Sequence, residues 1–214
     1  PYSRTADGRL TLKGGVREVL ATEMLEALGV NTSKTFALFE PGGELGRHDG
    51  PSPTRSAVLT RLSHGHIRIG SFQRLAFFND VETLNRLIRY SLQHLYAERP
   101  DKGDGANALR LFELVADATA RLAASYMAAG FVHGVHNSDN INITGESFDY
   151  GPWRFTPHWD PDFVAAYFDY YGLYSFGRQP EAIHWDLAQL AGCLTLIAEA
   201  PALTKVMEEW PARF

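Results

Sequence analysis

The sequence predicts an α+β fold with two lobes around a cleft, and three observations carry that expectation. Short β-like runs are concentrated in the first third of the chain, at "TFALF" from Thr35, "AVLTRL" from Ala57 and "HIRIGSF" from His66. Helical patterns fill most of the remainder. Between a long apolar helix and an aromatic-rich run lies a strongly polar segment, "HGVHNSDNINITGESFDYG", His133 to Gly151. Strands first and helices after is the order of an α+β chain, not of alternating βαβ units.

The elements follow in order. "VREVLATEMLEAL", 16–28, has the spacing of an amphipathic helix and is closed by Gly29. The first two β-like runs are separated by "EPGGELGRHDGPSP", rich in turn residues. Its "GGELG" lacks the Lys-Ser/Thr of a phosphate loop and reads as a hairpin turn. "DVETLNRLIRYSLQHLY" begins on a capping Asp80 and sets Val81, Leu84, Leu87, Ile88 and Leu95 on one stripe. "RPDKGDGAN" is a loop. "ALRLFELVADATARLAASYMAAG" is long and apolar enough to raise a membrane question. Glu113, Asp117 and Arg121, four apart, give it instead the single wet edge of a core helix. "WRFTPHWDPDFVAAYFDYYGLYSFGRQP" is aromatic and irregular, and "EAIHWDLAQLAGCLTLIAEA" is a last, buried helix.

Composition narrows the function. The chain has 214 residues, 45% hydrophobic and 21% charged, with a net charge of −5 and no basic block. That excludes broad nucleic-acid binding, which needs clustered Lys and Arg to neutralise phosphates. The one cysteine, Cys193, allows neither an internal disulfide nor a cysteine-based zinc cluster. No secretory signal is visible, and the absence of a Met before Pro1 is read as the mark of a fragment or a processed product.

The polar segment carries the chemistry. "INI", "TGES" and "FDYG" read as strand, turn and returning strand, which would bring Asn140 and Asp149 together. A carboxylate and an amide oxygen are hard ligands suited to Mg²⁺ shared with phosphates. Protein kinases build their metal site from a catalytic-loop Asn and the Asp of a later turn, in a loop written H-R-D-x-x-x-x-N. Aligned on His133, that loop puts Asn140 on the motif's Asn, Gly134 on its Arg and Val135 on its catalytic Asp. Valine cannot take a proton, so the usual base is missing, and Asp139 is the nearest replacement carboxylate. Turn chemistry alone would also account for these polar residues. Zinc on His133 and His136 is a further option, but a third ligand at a zinc-like spacing is lacking.

"GFVHGVHNSDNINITGESFDYGPWRF" and "FGRQPEAIHWDLAQLA" closely resemble the selenoprotein O (YdiU) family, as do "PYSRTADGRL", "GGVREVLATEMLEALGV" and "AVLTRLSHGHIRIGSFQ". The resemblance implies a protein-kinase-like fold, once classed as a pseudokinase. Residues 1–72 would form a partial N-lobe and 73–214 a partial, mainly helical C-lobe with the metal loop at 133–151. It also implies transfer of AMP from ATP to Ser, Thr or Tyr hydroxyls of proteins, with release of pyrophosphate from an ATP bound in flipped orientation. Glu18 would pair with an ATP lysine upstream of this chain, and Arg61 and Arg68 would hold the phosphate tail. Asn140 and Asp149 would bind Mg²⁺, with Mn²⁺ as an alternative, and Asp139 would act as base. The implied partners are ATP and protein substrates, with neither nucleic acid nor membrane. The implied location is cytoplasmic in bacteria and mitochondrial in eukaryotes. Lys13 follows "PYSR" and is not the ATP lysine, so residues 1–214 alone are expected to be inactive. A conventional kinase is disfavoured by Val135, and a catalytically inactive nucleotide-binding fragment is the remaining alternative. His136 departs from the family pattern, where an aliphatic residue is expected, and so does "DYYG" from Asp169.

Overall fold

The computed structural model describes residues 9–46 and 51–214; the "PYSR" motif lies outside them. β1 (Leu10–Thr11) runs directly into α1 (Leu12–Ala27), whose first turn is capped by the Thr11 hydroxyl accepting from the Gly14 N–H at 3.0 Å. The helix thus starts earlier than its periodicity suggests, because the Lys13-Gly14-Gly15 turn carries no apolar stripe to announce it. Gly15 has a packing reason: a Cβ there would stand 2.6 Å from Leu38 Cδ1 in the sheet below. α1 ends at Ala27, and Gly29 then takes φ +78°, a left-handed turn that glycine adopts without cost.

β2 (Lys34–Phe39), β3 (Glu44–Leu45) and β4 (Thr54–Leu62) complete an antiparallel sheet. β4 is its spine and pairs with all three other strands, Leu10 opposite Ala57, Phe39 opposite Val58 and Glu44 opposite Arg55. "GGELG" therefore supplies a turn and a short strand. Beyond the sheet come α2 (Ile69–Phe77), α3 (Val81–Leu95), α4 (Asp104–Ala129), β5 (Phe131–Val132), β6 (Arg154–Phe155), α5 (Gln179–Leu194) and α6 (Ala200–Arg213). Among the described residues no helix is long and apolar enough to cross a membrane.

α2 to α6 share one core, built on residues such as Phe72, Leu84, Ile88, Phe112, Val115 and Leu187. α4 is buried on most sides; Glu113 and Asp117 lie on its wetter edge, in ion pairs with Arg110 (3.0 Å) and Arg213 (2.7 Å). A second core joins α1 to the end of α4, through Ala21, Leu25, Leu122, Tyr126, Phe131 and Trp153.

Three expectations are corrected. "HIRIGSF" is not a strand: only 67–68 is extended, and α2 begins at Ile69. "NINITGESFDYG" is not a hairpin. Its first arm pairs with the entry to α2, the Ile69 N–H donating to the Ile141 carbonyl (3.2 Å) and the Ile143 N–H to the Ile67 carbonyl (3.0 Å). Its second arm pairs with the segment before β2, the Ser33 N–H donating to Ser147 (3.0 Å) and the Ser147 N–H to Asn31 (2.8 Å). Each arm thus satisfies its backbone on a different part of the chain. The last expected helix ends at Leu194, short of Ala200, and a further helix, α6, follows it with Pro201 in its first turn, where a missing N–H costs nothing. α6 closes the core with Trp210, which stacks on His184 at 5.1 Å and donates its ring N–H to Thr119 Oγ1 at 3.2 Å.

Candidate active site

The stretch 133–151 is fastened at three places. At its start, Gln179 of α5 accepts from the His133 N–H (3.0 Å) and donates to the Phe131 carbonyl (2.8 Å), while His133 Nε2 donates to the Phe148 carbonyl (3.0 Å). In its middle, the Gly70 N–H at the start of α2 donates to the Ser138 carbonyl (2.9 Å), and Arg68 donates to the Asp139 carbonyl (3.2 Å). Near its end, Tyr150 bonds the Thr32 hydroxyl at 2.5 Å, and buried Glu146 accepts from the His64 N–H at 3.0 Å. A polar loop tied this densely has little freedom to wander, which is what a reacting site requires.

Asn140 and Asp149 face the same cavity of about 670 Å³, together with Glu18 and Val135. The Asn140 amide N–H₂ donates to the Val135 carbonyl at 2.7 Å, which leaves the amide oxygen as its other end. Asp149 is exposed between buried Phe148 and Tyr150, and its backbone is left-handed, with φ +64°. Outside glycine that conformation is uncommon, and it turns the carboxylate out of the core into the cavity. Among the described residues no group of three His, Cys, Asp or Glu could hold a metal by itself. One carboxylate and one amide oxygen fit Mg²⁺, which keeps waters and shares phosphate oxygens, and do not fit a closed zinc site.

A second cavity, of about 560 Å³, shares Arg9, Leu10, Glu18 and Asp149 with the first and extends along β4 to Arg61. Its wall is largely apolar, with Leu45, Ala57, Val58 and Leu59. Glu18 sits where the two meet, 7% exposed, and its carboxylate accepts from Arg61 at 3.2 Å. Burial pushes the Glu18 carboxyl up to about 7, against the pull of Arg61. The pair spans α1 and β4, so Glu18 is neither a solvated helix position nor engaged with Arg17. The partner seen for it is Arg61.

The structure thus collects Glu18, Arg61, Asn140 and Asp149 around one continuous cleft. Arg68 and Asp139 form a pair of their own at the N-terminus of α2 and line neither cavity. Asp139 nevertheless directly precedes Asn140, and its Oδ1 lies 2.2 Å from where a Cβ on Gly70 would be. His133 and His136 are buried with ring centroids 4.9 Å apart, beside Tyr126. Burial depresses both imidazoles, so they belong to the core under the loop. The reading from residues missed Lys13, Arg17, Arg154, Tyr167 and Phe168, which also line the larger cavity. A signal was present in the fourfold spacing of Lys13 and Arg17, which puts two cations one turn apart on the same edge of α1.

A family model described as protein adenylyltransferase SelO matches residues 1–214. The chain is 47% identical over 211 residues to a protein nucleotidyltransferase YdiU of Synechocystis sp., covering 98% of this chain and 44% of that protein. It is 51% identical over 199 residues to one from Gloeobacter violaceus (92% and 40%), and 50% identical over 190 residues to one from Trichormus variabilis (89% and 39%). The chain spans about two fifths of the length of these relatives.

Proposed function

Because the chain belongs to the protein adenylyltransferase SelO family, we propose that it carries the reacting centre of an enzyme that transfers AMP from ATP to Ser, Thr or Tyr hydroxyls of proteins. The observation that carries this reading is the composition of the cleft floor. Asn140 and Asp149 both line it, an amide and a carboxylate suited to a cation, and Val135 stands beside them at the position where a kinase loop has its catalytic carboxylate. A floor that can hold a metal and phosphates but cannot hold a hydroxyl at the kinase position favours reaction at a different phosphorus.

In this reading Arg61, which lines the cleft, holds the phosphate tail, and Arg68 joins it by turning from the Asp139 carbonyl it now meets, since guanidinium groups match phosphate oxygens in two-point contacts. The α-phosphorus then faces the acceptor. The acceptor oxygen forms a bond to Pα, and the bond from Pα to the bridging oxygen of Pβ breaks. Pyrophosphate leaves with that electron pair, and the hydroxyl proton passes to Asp139. Mg²⁺, or Mn²⁺, held by Asn140 and Asp149 would neutralise charge on the phosphates as it moves towards pyrophosphate. Glu18 fixes Arg61 at the back of the cleft through the ion pair already formed there. The upstream lysine proposed as a partner of Glu18 would compete with or extend that pair.

The test is to incubate the full-length protein with Mg²⁺ and ATP labelled at either the α or the γ position and to examine labelled protein by mass. The expected result is label from the α position alone, with a gain of one AMP. Label from the γ position alone would make the protein a kinase in spite of Val135 and remove the role given to Asp139.

A further inference from the structure

The rim of the larger cavity is more basic than the chain around it. Lys13 and Arg17 stand one turn apart on α1, and Arg154 in β6 lines the same space. Lys13 and Arg154 are exposed and make no ion pair among the described residues. Arg17 is held by carbonyl oxygens, Trp153 at 2.8 Å and Gly151 at 3.4 Å, and lies over the Trp153 ring at 4.8 Å. Those contacts aim its guanidinium without neutralising it. The carboxylates lining this cavity have other partners: Glu18 is buried against Arg61, and Asp149 belongs to the proposed cation site. Among the described residues the cavity lining carries four cations, Arg9, Lys13, Arg17 and Arg154, against two carboxylates, Glu18 and Asp149, on a chain whose net charge is −5.

Beside these cations lie two aromatic side chains that the fold does not bury. Tyr167 is 78% and Phe168 47% exposed, their rings edge to face at 5.3 Å, and both line the cavity. Aromatic rings next to Arg and Lys, left open at the mouth of a cleft, have the composition of a protein-binding hot spot.

We propose that Lys13, Arg17, Arg154, Tyr167 and Phe168 form a docking rim for the acceptor protein, and that the rim selects segments in which the hydroxyl residue is flanked by Asp or Glu. The docking itself depends only on this surface; that the docked hydroxyl is then modified rests on the nucleotidyl-transfer reading above. Charge complementarity fixes the sign of the occupant, and the ring pair favours a polypeptide with an apolar or aromatic residue near its carboxylates. A nucleic acid is disfavoured because phosphates spaced along a strand need a long basic track, and the described cations converge on one cavity. The nucleotide is disfavoured because Lys13, Arg154, Tyr167 and Phe168 are exposed to solvent, whereas Arg61 is largely covered beside Glu18.

The experiment uses the full-length protein and short fluorescent peptides with one Tyr flanked either by Glu or by Lys. Binding is followed by anisotropy, with and without Mg²⁺ and an ATP analogue that cannot be cleaved between the α- and β-phosphates. The Glu peptide is expected to bind about tenfold more tightly than the Lys peptide, and less tightly as salt rises. The double variant Lys13→Glu, Arg154→Glu should reverse that order, and Lys13→Gln, Arg154→Gln should bring the two peptides to parity. The ATP analogue should not displace the Glu peptide. Equal binding of the two peptides, an unchanged preference in both variants, or displacement by the analogue would each overturn the proposal. So would equally tight binding of a single-stranded oligonucleotide of the same charge. Peptides that bind as expected yet take no label from α-labelled ATP would leave the docking rim standing and remove the transfer reading.

Discussion

Asp149 carries the largest chemical burden of any single residue in the cleft. It is the charged member of the proposed cation pair, and its left-handed backbone at φ +64° is what turns it away from the buried Phe148 and Tyr150 on either side. Alanine would therefore change conformation and charge together, whereas asparagine tolerates this backbone and removes the charge alone. Asp149→Asn is expected to weaken Mg²⁺-dependent ATP binding at least about a hundredfold. Asn140→Ala should weaken it about tenfold, since a neutral amide oxygen contributes less to a divalent ion than a carboxylate. Calorimetric titration of ATP with and without Mg²⁺ checks both, and Asp149→Asn binding like the wild type would sink the cation site. These two residues were legible in the sequence because their spacing from His133 is a local pattern. The partner of Glu18 was not, because the contact with Arg61 joins residues 43 apart on a helix and a strand.

At the scale of elements, α2 matters more than its nine residues suggest. Its first turn is built against the loop: the Gly70 N–H holds Ser138, Arg68 holds Asp139, and Ser138 Oγ donates to Gln73 Oε1 at 2.5 Å. Gly70 is the close approach that makes this possible, because a Cβ there would stand 2.2 Å from Asp139 Oδ1. Gly70→Ala is expected to displace the Asp139 carboxylate while leaving Asn140 and Asp149 in place. Nucleotide transfer should fall about a hundredfold with ATP affinity within about threefold of wild type, because a proton acceptor moved by an ångström costs the reaction and not the binding. An unchanged turnover in that variant would mean Asp139 is not the base. The sequence pattern that hid α2 was real but brief: Ile67 and Ile69 alternate as in a strand because 67–69 does pair with 141–143. The supposed hairpin failed for the complementary reason. Alternation and turn residues show that a segment wants a strand partner, but not which distant backbone supplies it. Helix α3 and all but the first turn of α4 were readable because a long apolar stripe is contained within the element itself; 104–107 read as loop because Asp104-Gly105 has no such stripe and α4 has no side-chain N-cap.

The whole molecule concentrates buried ionisable groups around the loop, and they do not all pull in the same direction. Burial raises the Glu18 carboxyl to about 7 and the buried Asp186 carboxyl of α5 to about 8, the latter against the opposing pull of the Ser138 backbone. A carboxyl raised in the folded state favours folding while it stays protonated. That contribution is complete below the ordinary carboxyl range and is lost as pH climbs to 7 for Glu18 and to 8 for Asp186. Burial lowers His133 and His136, and His136 has neither ring nitrogen bonded. A histidine kept neutral in the fold contributes fully above its ordinary value near 6.5 and loses that contribution as pH falls below it. Between about pH 4.5 and 6.5 the two kinds of group oppose each other, and above 6.5 only the carboxyls act. Stability in metal-free buffer is therefore expected to be greatest in the mildly acidic range and to decline towards pH 8, each group contributing at most about 1.4 kcal/mol per pH unit. Asp186→Asn should remove the part of the decline that continues above pH 7 and lessen it below, whereas Glu18→Gln should lessen it only below pH 7. His136→Met, which puts an apolar side chain of similar size where the family resemblance leads one to expect an aliphatic residue, should raise stability at pH 5 and change it less at pH 8. Denaturant unfolding of the three variants and the wild type across this range decides the matter: a decline above pH 7 that survives in Asp186→Asn would show that this carboxyl ionises without cost inside the fold.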